Sequence, residues 1–265
     1  MKKFLAILLV VVMIAALVTG CASGKKGIVD EIKSRGKLIM LTNAGFPPFE
    51  FLGDDNKPAG VDVDVAGEIA KSLGVELEIV DMDFDGLINA LASGKGDLIA
   101  AGMSVTEERK KSVDFSVEYV TSAQYCIIKE GSPIATMADL AGLRVGVQTG
   151  TTGDLILSDE VELEEGSLYN TGTTISRYKT ALEAALDINN GRLDAVVIDK
   201  HPAMSIAAAN DGLTTTAEAI SEEEKYAIAI NKGNEDLLKV VNEALEKMMK
   251  DGTIESFINK HTGVQ

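Results

Sequence analysis

Three short stretches of this chain carry the side chains best suited to gripping a small charged molecule. Thr106-Glu107-Glu108-Arg109 reads as the first turn of a helix, with Thr106 as N-cap and two acidic residues where the helix dipole favours them. Its arginine can clamp a carboxylate through two parallel hydrogen bonds, a geometry that lysine does not offer. Arg109 also heads Arg109-Lys110-Lys111, and exposed charge is the usual fate of arginine, so a surface role stands beside the binding one. Thr149-Gly150-Thr151-Thr152-Gly153 lies between a strand-like run and a helix-like one. Free N–H groups at a helix start make an anion site. A nucleotide-phosphate loop would need Gly-Lys-Ser/Thr after its glycines, and that is missing. Asp199 closes the apolar run 195–198, where it can take a cation or cap the helix that begins near Pro202.

The rest of the composition narrows what such residues can be for. The 265 residues include 41 acidic and 25 basic side chains, for a formal net charge of −16. That balance argues against nucleic acid, which calls for clustered Lys and Arg. With 46% apolar and 25% charged residues the chain is an ordinary globular one, long enough for about two domains. Only His201 and His261 are available for imidazole chemistry, and the two cysteines, Cys21 and Cys126, are far apart. No metal site and no cofactor is expected from that inventory. Cys126 sits in Gln124-Tyr125-Cys126-Ile127-Ile128 with no His or basic neighbour to activate it, as befits a core thiol.

The N-terminus reads as an address. Lys2 and Lys3 precede an apolar run over residues 4–18, too short for a bilayer span of about 20 residues and suited to a secretory signal. It ends in Leu17-Val18-Thr19-Gly20-Cys21, which resembles the lipobox of bacterial lipoproteins. That resemblance implies a signal peptide over 1–20, acylation of Cys21, a tether over 21–26 and anchoring in the lipid bilayer.

Beyond residue 37, strand-length apolar runs alternate with segments of helical period, which indicates an α/β chain with largely parallel sheets. Strands are expected at 37–42, 75–80, 98–101, 124–129, 144–148, 195–198 and 226–231. Helices are expected at 64–73, 86–92, 177–189 and 235–250, with Gly74 as a stop and with Asp85 and Asn234 as starts. One pattern occurs twice. Leu91-Ala92-Ser93-Gly94-Lys95-Gly96-Asp97 and Ile188-Asn189-Asn190-Gly191-Arg192-Leu193-Asp194 each follow an Ala/Leu-rich helix and lead into a short apolar strand. Those strands end at Gly102 and Asp199, and ligands of open α/β sheets bind beyond such strand ends.

Seven motifs then occur in order: Asn43-Ala44-Gly45-Phe46-Pro47-Pro48-Phe49-Glu50-Phe51, Gly60-Val61-Asp62-Val63-Asp64, Phe84-Asp85-Gly86-Leu87-Ile88, Ala101-Gly102-Met103-Ser104-Val105-Thr106-Glu107-Glu108-Arg109, Asp114-Phe115-Ser116, Val145-Gly146-Val147-Gln148 with the loop to Gly153, and Asp194-Ala195-Val196-Val197-Ile198-Asp199. With Asn231-Lys232-Gly233-Asn234 and Asp251-Gly252-Thr253, these make residues 38–262 resemble the bacterial extracellular solute-binding proteins of the polar amino-acid uptake family, receptors of ATP-driven importers.

The resemblance implies a two-lobed periplasmic-binding-protein-like fold with a hinge of two crossing strands, near 119–123 and 222–226. Residues 27–121 with 224–265 would form one lobe and 122–223 the other. It implies a monomer that closes on a free L-amino acid outside the cytoplasm and hands it to an ABC permease in the membrane. In that reading Arg109 and the loop residues Thr149, Thr151 and Thr152 hold the carboxylate. Asp199 takes the ammonium, aided by the Gly102 carbonyl and the Ser104 hydroxyl, and Phe46 and Phe84 stack on the apolar part of the ligand. Asn43 replaces an aspartate common at its position, and an amide cannot neutralise a cation. With Gln148 at a ligand position and no second arginine in the motifs, a polar uncharged amino acid such as glutamine is implied. Two alternatives stay open: a secreted enzyme on the same fold, of the cyclic-acid dehydratase kind, and a ligand-sensing module.

Overall fold

The computed structural model describes residues 27–262. The signal, the tether and the acylated Cys21 expected from the sequence lie outside the described residues. Two five-stranded sheets dominate the fold. The first runs, in spatial order, Glu76–Asp81, Lys37–Thr42, Leu98–Ile99, Ala229–Asn231 and Val113–Phe115. The second runs Thr174–Tyr178, Arg144–Gln148, Ala195–Asp199, Gln124–Lys129 and Leu213–Thr215.

The sheets are mixed rather than largely parallel. In each, the first three strands pair parallel and the remaining pairings are antiparallel. The reason lies in the crossing. Val120–Ser122 and Glu224–Tyr226 pair antiparallel as a separate two-stranded ribbon. Gln124–Lys129 and Ala229–Asn231 follow directly from it. A strand fed from the ribbon, without a helical crossover on the sheet face, enters running the opposite way. The run 226–231, expected as one strand, is therefore split. Tyr226 belongs to the ribbon, and the chain then turns through Ala227 and Ile228, whose amides bond to the Met103 carbonyl at 3.1 Å and the Ser116 hydroxyl at 3.0 Å.

The repeated pattern builds the same corner twice. Gly94 and Gly191 adopt φ of +73° and +70°, a left-handed conformation that glycine takes without a Cβ clash. Asp97 then accepts from the amide of Ile39 at 2.7 Å, and Asp194 from that of Arg144 at 2.9 Å. Each aspartate thus ties its own strand to the start of its parallel neighbour, and each adds an arginine: Arg35 on Asp97 and Arg144 on Asp194.

Local signals explain most helix boundaries. Gly74 ends Val61–Leu73 at φ +72°. Asp85 does not cap; it lies within a 3₁₀ turn, Phe84–Gly86, that leads into Leu87–Ala92, and Asn234 makes no side-chain cap bond. The helix expected over 177–189 starts only at Ala181, where Thr180 and Glu183 form a capping box. Arg177 and Tyr178 belong instead to the edge strand Thr174–Tyr178, which favours the β-branched and aromatic residues found there. Cys126 is fully buried between Val145, Val147 and Val197 of the second sheet's core, and burial pushes its thiol up to about 12. Among the described residues no helix is long and apolar enough to cross a membrane.

Candidate ligand-binding cleft

The residues singled out in the sequence converge where the two sheets face each other across the ribbon. Thr106 caps the short helix Glu107–Ser112, accepting from the Arg109 amide at 3.1 Å. The cap fixes the direction of the Arg109 side chain, which is buried. One guanidinium nitrogen donates to the Ser104 carbonyl at 2.7 Å and another to the Gly150 carbonyl at 3.1 Å. The guanidinium carbon lies 5.3 Å from the centre of the Phe84 ring. Burial lowers the pKa of Arg109, while Glu224 and then Asp199 work against that shift, and an arginine keeps its charge regardless. The surface role is excluded for this residue.

Asp199 ends its strand almost fully buried. It occupies the N-cap position of Lys200–Ala208 but makes no cap bond; its carboxyl accepts from the Tyr226 hydroxyl at 2.6 Å, from the crossing ribbon. Burial, and after it the neighbouring Glu224, pushes this carboxyl well above the usual range. His201, the second residue of that helix, has its ring edge-on to Phe49 at 5.8 Å, and burial lowers its pKa.

The loop after Arg144–Gln148 opens the helix Thr152–Glu162 as expected. Its hydroxyls are not all available to a ligand. Thr149 donates to the Tyr178 carbonyl at 3.0 Å, and Thr151 is spent on the cap, donating to the Gln148 carbonyl at 2.8 Å and accepting from the Asp154 amide at 3.3 Å. Thr152 turns inward and donates to Glu224 at 2.6 Å. Asp154 holds the loop from behind, accepting from the Gly150 amide at 3.0 Å and from Arg177 at 2.9 Å.

At the other end of the cleft two amides meet. Gln148 donates to the Asn43 side-chain oxygen at 2.9 Å, and Asn43 donates to the Met82 carbonyl at 2.8 Å. The remaining oxygen of Gln148 is buried without a donor. Phe46 is buried against Gly102, and its ring lies 6.4 Å from that of Tyr226. Phe84 is half-buried. Ser104 is buried and bridges to Tyr226 of the ribbon. Contacts across the cleft, including the Lys179–Asp83 ion pair at 2.9 Å on its rim, bring the two halves together.

Glu224 was missed in the sequence. In Ser221-Glu222-Glu223-Glu224 it looks like one more solvated charge, yet it accepts from Gln124 and Thr152 and stands beside Asp199. The available signal was period two: Glu224 shares a strand face with Tyr226, which is fully buried.

Gly102 makes a direct test of the cleft floor. Its φ is +52°, and a Cβ there would come within 2.5 Å of the Phe46 ring. Gly102→Ala is expected to cost about 1–3 kcal/mol of stability from strain and overpacking, measured by denaturant titration, and to weaken ligand binding by displacing Phe46. Unchanged stability and affinity would show that Phe46 and Gly102 do not form the floor.

Two α/β halves that meet across a two-stranded ribbon, with Arg109 presented from a short helix beside one sheet and Asp199 from a strand end of the other, define a cleft-type binding protein. Residues 38–264 match the bacterial extracellular solute-binding proteins, family 3, and the chain belongs to that family. It is 36% identical to the L-cystine-binding protein TcyJ of Escherichia coli (strain K12), covering 95% of this chain and 93% of that one. It is 37% identical to the arginine-binding extracellular protein ArtP of Bacillus subtilis (strain 168), covering 98% of each. Among solved structures, a mutant of the arginine-binding protein ArgBP from T. maritima has a TM-score of 0.81 at 41% identity, covering 89% of this chain and 99% of that one. An ancestral arginine-binding protein, 41% identical, has been solved with arginine and with glutamine, at TM-scores of 0.79 and 0.78, covering 86% of this chain and 98% of that one. The ancestral amino-acid-binding protein AncCDT-1, a precursor of cyclohexadienyl dehydratase, matches at 34% identity and a TM-score of 0.77, covering 89% of this chain and all of that one. Membership makes this chain an extracytoplasmic solute-binding receptor, in line with relatives that are binding proteins.

Proposed function

We propose that the protein is the substrate-binding receptor of an ABC importer and captures a free L-amino acid with a polar, uncharged side chain, glutamine foremost. The observation that carries this is the polarity of the cleft. Arg109 comes from beside the first sheet and Asp199 from the end of a strand in the second, with Glu224 next to Asp199. A zwitterion fits between them, its carboxylate on Arg109 and the first-turn amides of Thr152–Glu162, its ammonium on Asp199 and Glu224. The Asn43–Gln148 pair, with its free buried acceptor, suits a side-chain amide. The lobes run over 27–121 with 224–265 and over 122–223, and the ribbon between them is the hinge.

A second reading has its own support. Two carboxyl groups against one arginine leave room for a cationic side chain, and several relatives are arginine-binding proteins. A thermal-shift panel of the free amino acids and cystine decides between them. Ligand at about 100 Kd adds about 2.7 kcal/mol of stability. L-glutamine is expected to give the largest shift. Arginine ahead of glutamine would overturn the side-chain assignment, and no shift from any compound would overturn the receptor reading. A dehydratase-like activity has weaker support: Asp199 would be the acid, and Tyr226 already occupies it.

The receptor is a monomer held at the membrane by acylated Cys21, close to its permease. Mass spectrometry of the membrane fraction is expected to find an N-terminal acylated cysteine at position 21; a mature chain that retains residues 1–20 would contradict this.

A further inference from the structure

Behind the cleft lies an acidic pair that ligand binding as described does not use. Glu50, on the strand Glu50–Leu52, is fully buried, and neither of its carboxyl oxygens meets a hydrogen-bond donor. Its charged surroundings are all acidic: Asp62 within hydrogen-bonding reach, then Asp199 and Asp81. Asp62, the second residue of Val61–Leu73, is equally buried, but both its oxygens are engaged. One accepts from the Gly102 amide at 2.8 Å and the other from the Tyr119 hydroxyl at 2.6 Å. The remaining titratable neighbours are Tyr226 and His201, which reach this region only through the Phe49 ring, at 5.1 Å and 5.8 Å. Among the described residues no cation faces the pair.

Two adjoining buried carboxyls without a cation do not both ionise; they keep a proton between them. The donors on Asp62 mark it as the charged member, which leaves the proton on Glu50. We propose that Glu50 and Asp62 form a proton-sharing carboxyl pair that positions the Gly102 corner of the ligand cleft. The Glu50 hydroxyl donates to Asp62 and holds it in place; Asp62 in turn fixes the Gly102 amide in its left-handed conformation, under Phe46. Through Tyr119 the same carboxylate reaches the start of the crossing ribbon, so the ligand corner and the hinge share one anchor. Both are positioning residues and neither touches the ligand. Burial, then Asp62, pushes Glu50 well above the usual carboxyl range, and burial brings Asp62 to about 6, which agrees with one proton at neutral pH. The inference rests on the reading of Gly102 as part of the cleft.

Its test uses the mature protein, Glu50→Gln, Asp62→Asn, and three measurements. Infrared spectroscopy at pH 7 is expected to show the carbonyl stretch of a protonated carboxylic acid that Glu50→Gln removes, since the glutamine amide supplies the donor that the acid supplied. Hydrogen exchange is expected to find the Gly102 amide protected in wild type and Glu50→Gln, and exposed in Asp62→Asn. Titration with L-glutamine is expected to give Glu50→Gln an affinity within about threefold of wild type and Asp62→Asn a loss of about tenfold or more. If Glu50→Gln leaves the infrared spectrum unchanged, or deprotects Gly102, the pair is overturned. Should Asp62→Asn fail to fold, the Glu50→Gln spectrum still decides. Should wild type bind no amino acid, the receptor reading fails while the first two measurements still judge the pair.

Discussion

Arg109→Ala is expected to bind its amino acid about 30- to several-thousand-fold more weakly than wild type, a loss of about 2–5 kcal/mol by analogy with truncated buried charge pairs. Among the described residues the guanidinium is the one cationic group held inside the cleft, and it is aimed by Thr106, Ser104 and Gly150. Removing it leaves a ligand carboxylate buried without a counter-charge, in a site where water no longer screens the defect. Arg109→Lys is expected to recover little of this. An ammonium cannot reproduce the two-pronged geometry, and its three donors cannot serve the Ser104 and Gly150 carbonyls and still give a carboxylate two bonds. The structure adds a second consequence. Arg109 ties the two halves together through Gly150, so its loss also favours the open arrangement in the absence of ligand. Calorimetric titration and small-angle scattering of the variant read the two effects separately. Affinity within about threefold of wild type would mean that the carboxylate sits elsewhere.

Asp199→Asn is expected to separate binding from stability. Asn keeps an acceptor for the Tyr226 hydroxyl but cannot neutralise an ammonium, so the loss of affinity is again about 2–5 kcal/mol. The ligand-free variant, by contrast, is expected to be more stable than wild type at pH 8. Burial and Glu224 raise the folded-state pKa of Asp199, so this group's contribution is most favourable below its unfolded pKa and is lost as pH rises through the folded value. The neutral amide removes that penalty, and the advantage is expected to shrink towards pH 4, where both side chains are uncharged. Binding has the complementary dependence. Below the raised pKa, Asp199 must release a proton to meet the ammonium, so wild-type affinity falls with pH, by tenfold per unit at most. Thermal unfolding of both proteins from pH 4 to 8 checks the first part and titration over the same range the second. A variant less stable than wild type at pH 8 would show that Asp199 is not held ionised at a cost. Such strain fits a site built for a ligand charge, where stability is traded for function.

What was legible in the sequence was what local chemistry decides. The Thr106 cap, the Gly74 stop and the two Gly-basic-x-Asp corners depend on a few neighbouring residues, and they appear in the structure as those residues dictate. Arg109 and Asp199 stand out in the sequence by residue type and motif, and the structure puts Arg109 on the Thr106-capped helix and Asp199 at the end of its strand. What failed was whatever depends on partners far along the chain. The mixed sheets follow from the crossing ribbon, whose strands are about a hundred residues apart and pair on no local signal. Arg177 and Tyr178, the end of the strand Thr174–Tyr178, read as helix because the capping box of Thr180 and Glu183, which starts the helix, went unrecognised. Glu224 was hidden in an acidic run, and only the burial of Tyr226 shows which face it takes. Thr149 and Thr151 carry the right residue type in the right loop, yet their hydroxyls serve the edge strand and the helix cap. A motif supplies the loop; the hydrogen-bond accounting decides which of its atoms remain for a ligand.

The central claim is that Arg109 and Asp199 grip opposite ends of one free amino acid, and calorimetry with edited ligands tests it most directly. L-glutamine, its α-carboxamide and its Nα-acetyl derivative differ only in the group each end must recognise. The account predicts saturable binding of L-glutamine and a loss of at least about 30-fold for each derivative, since either change leaves one protein charge buried and unpaired. Binding of either derivative within about threefold of the free amino acid would contradict it.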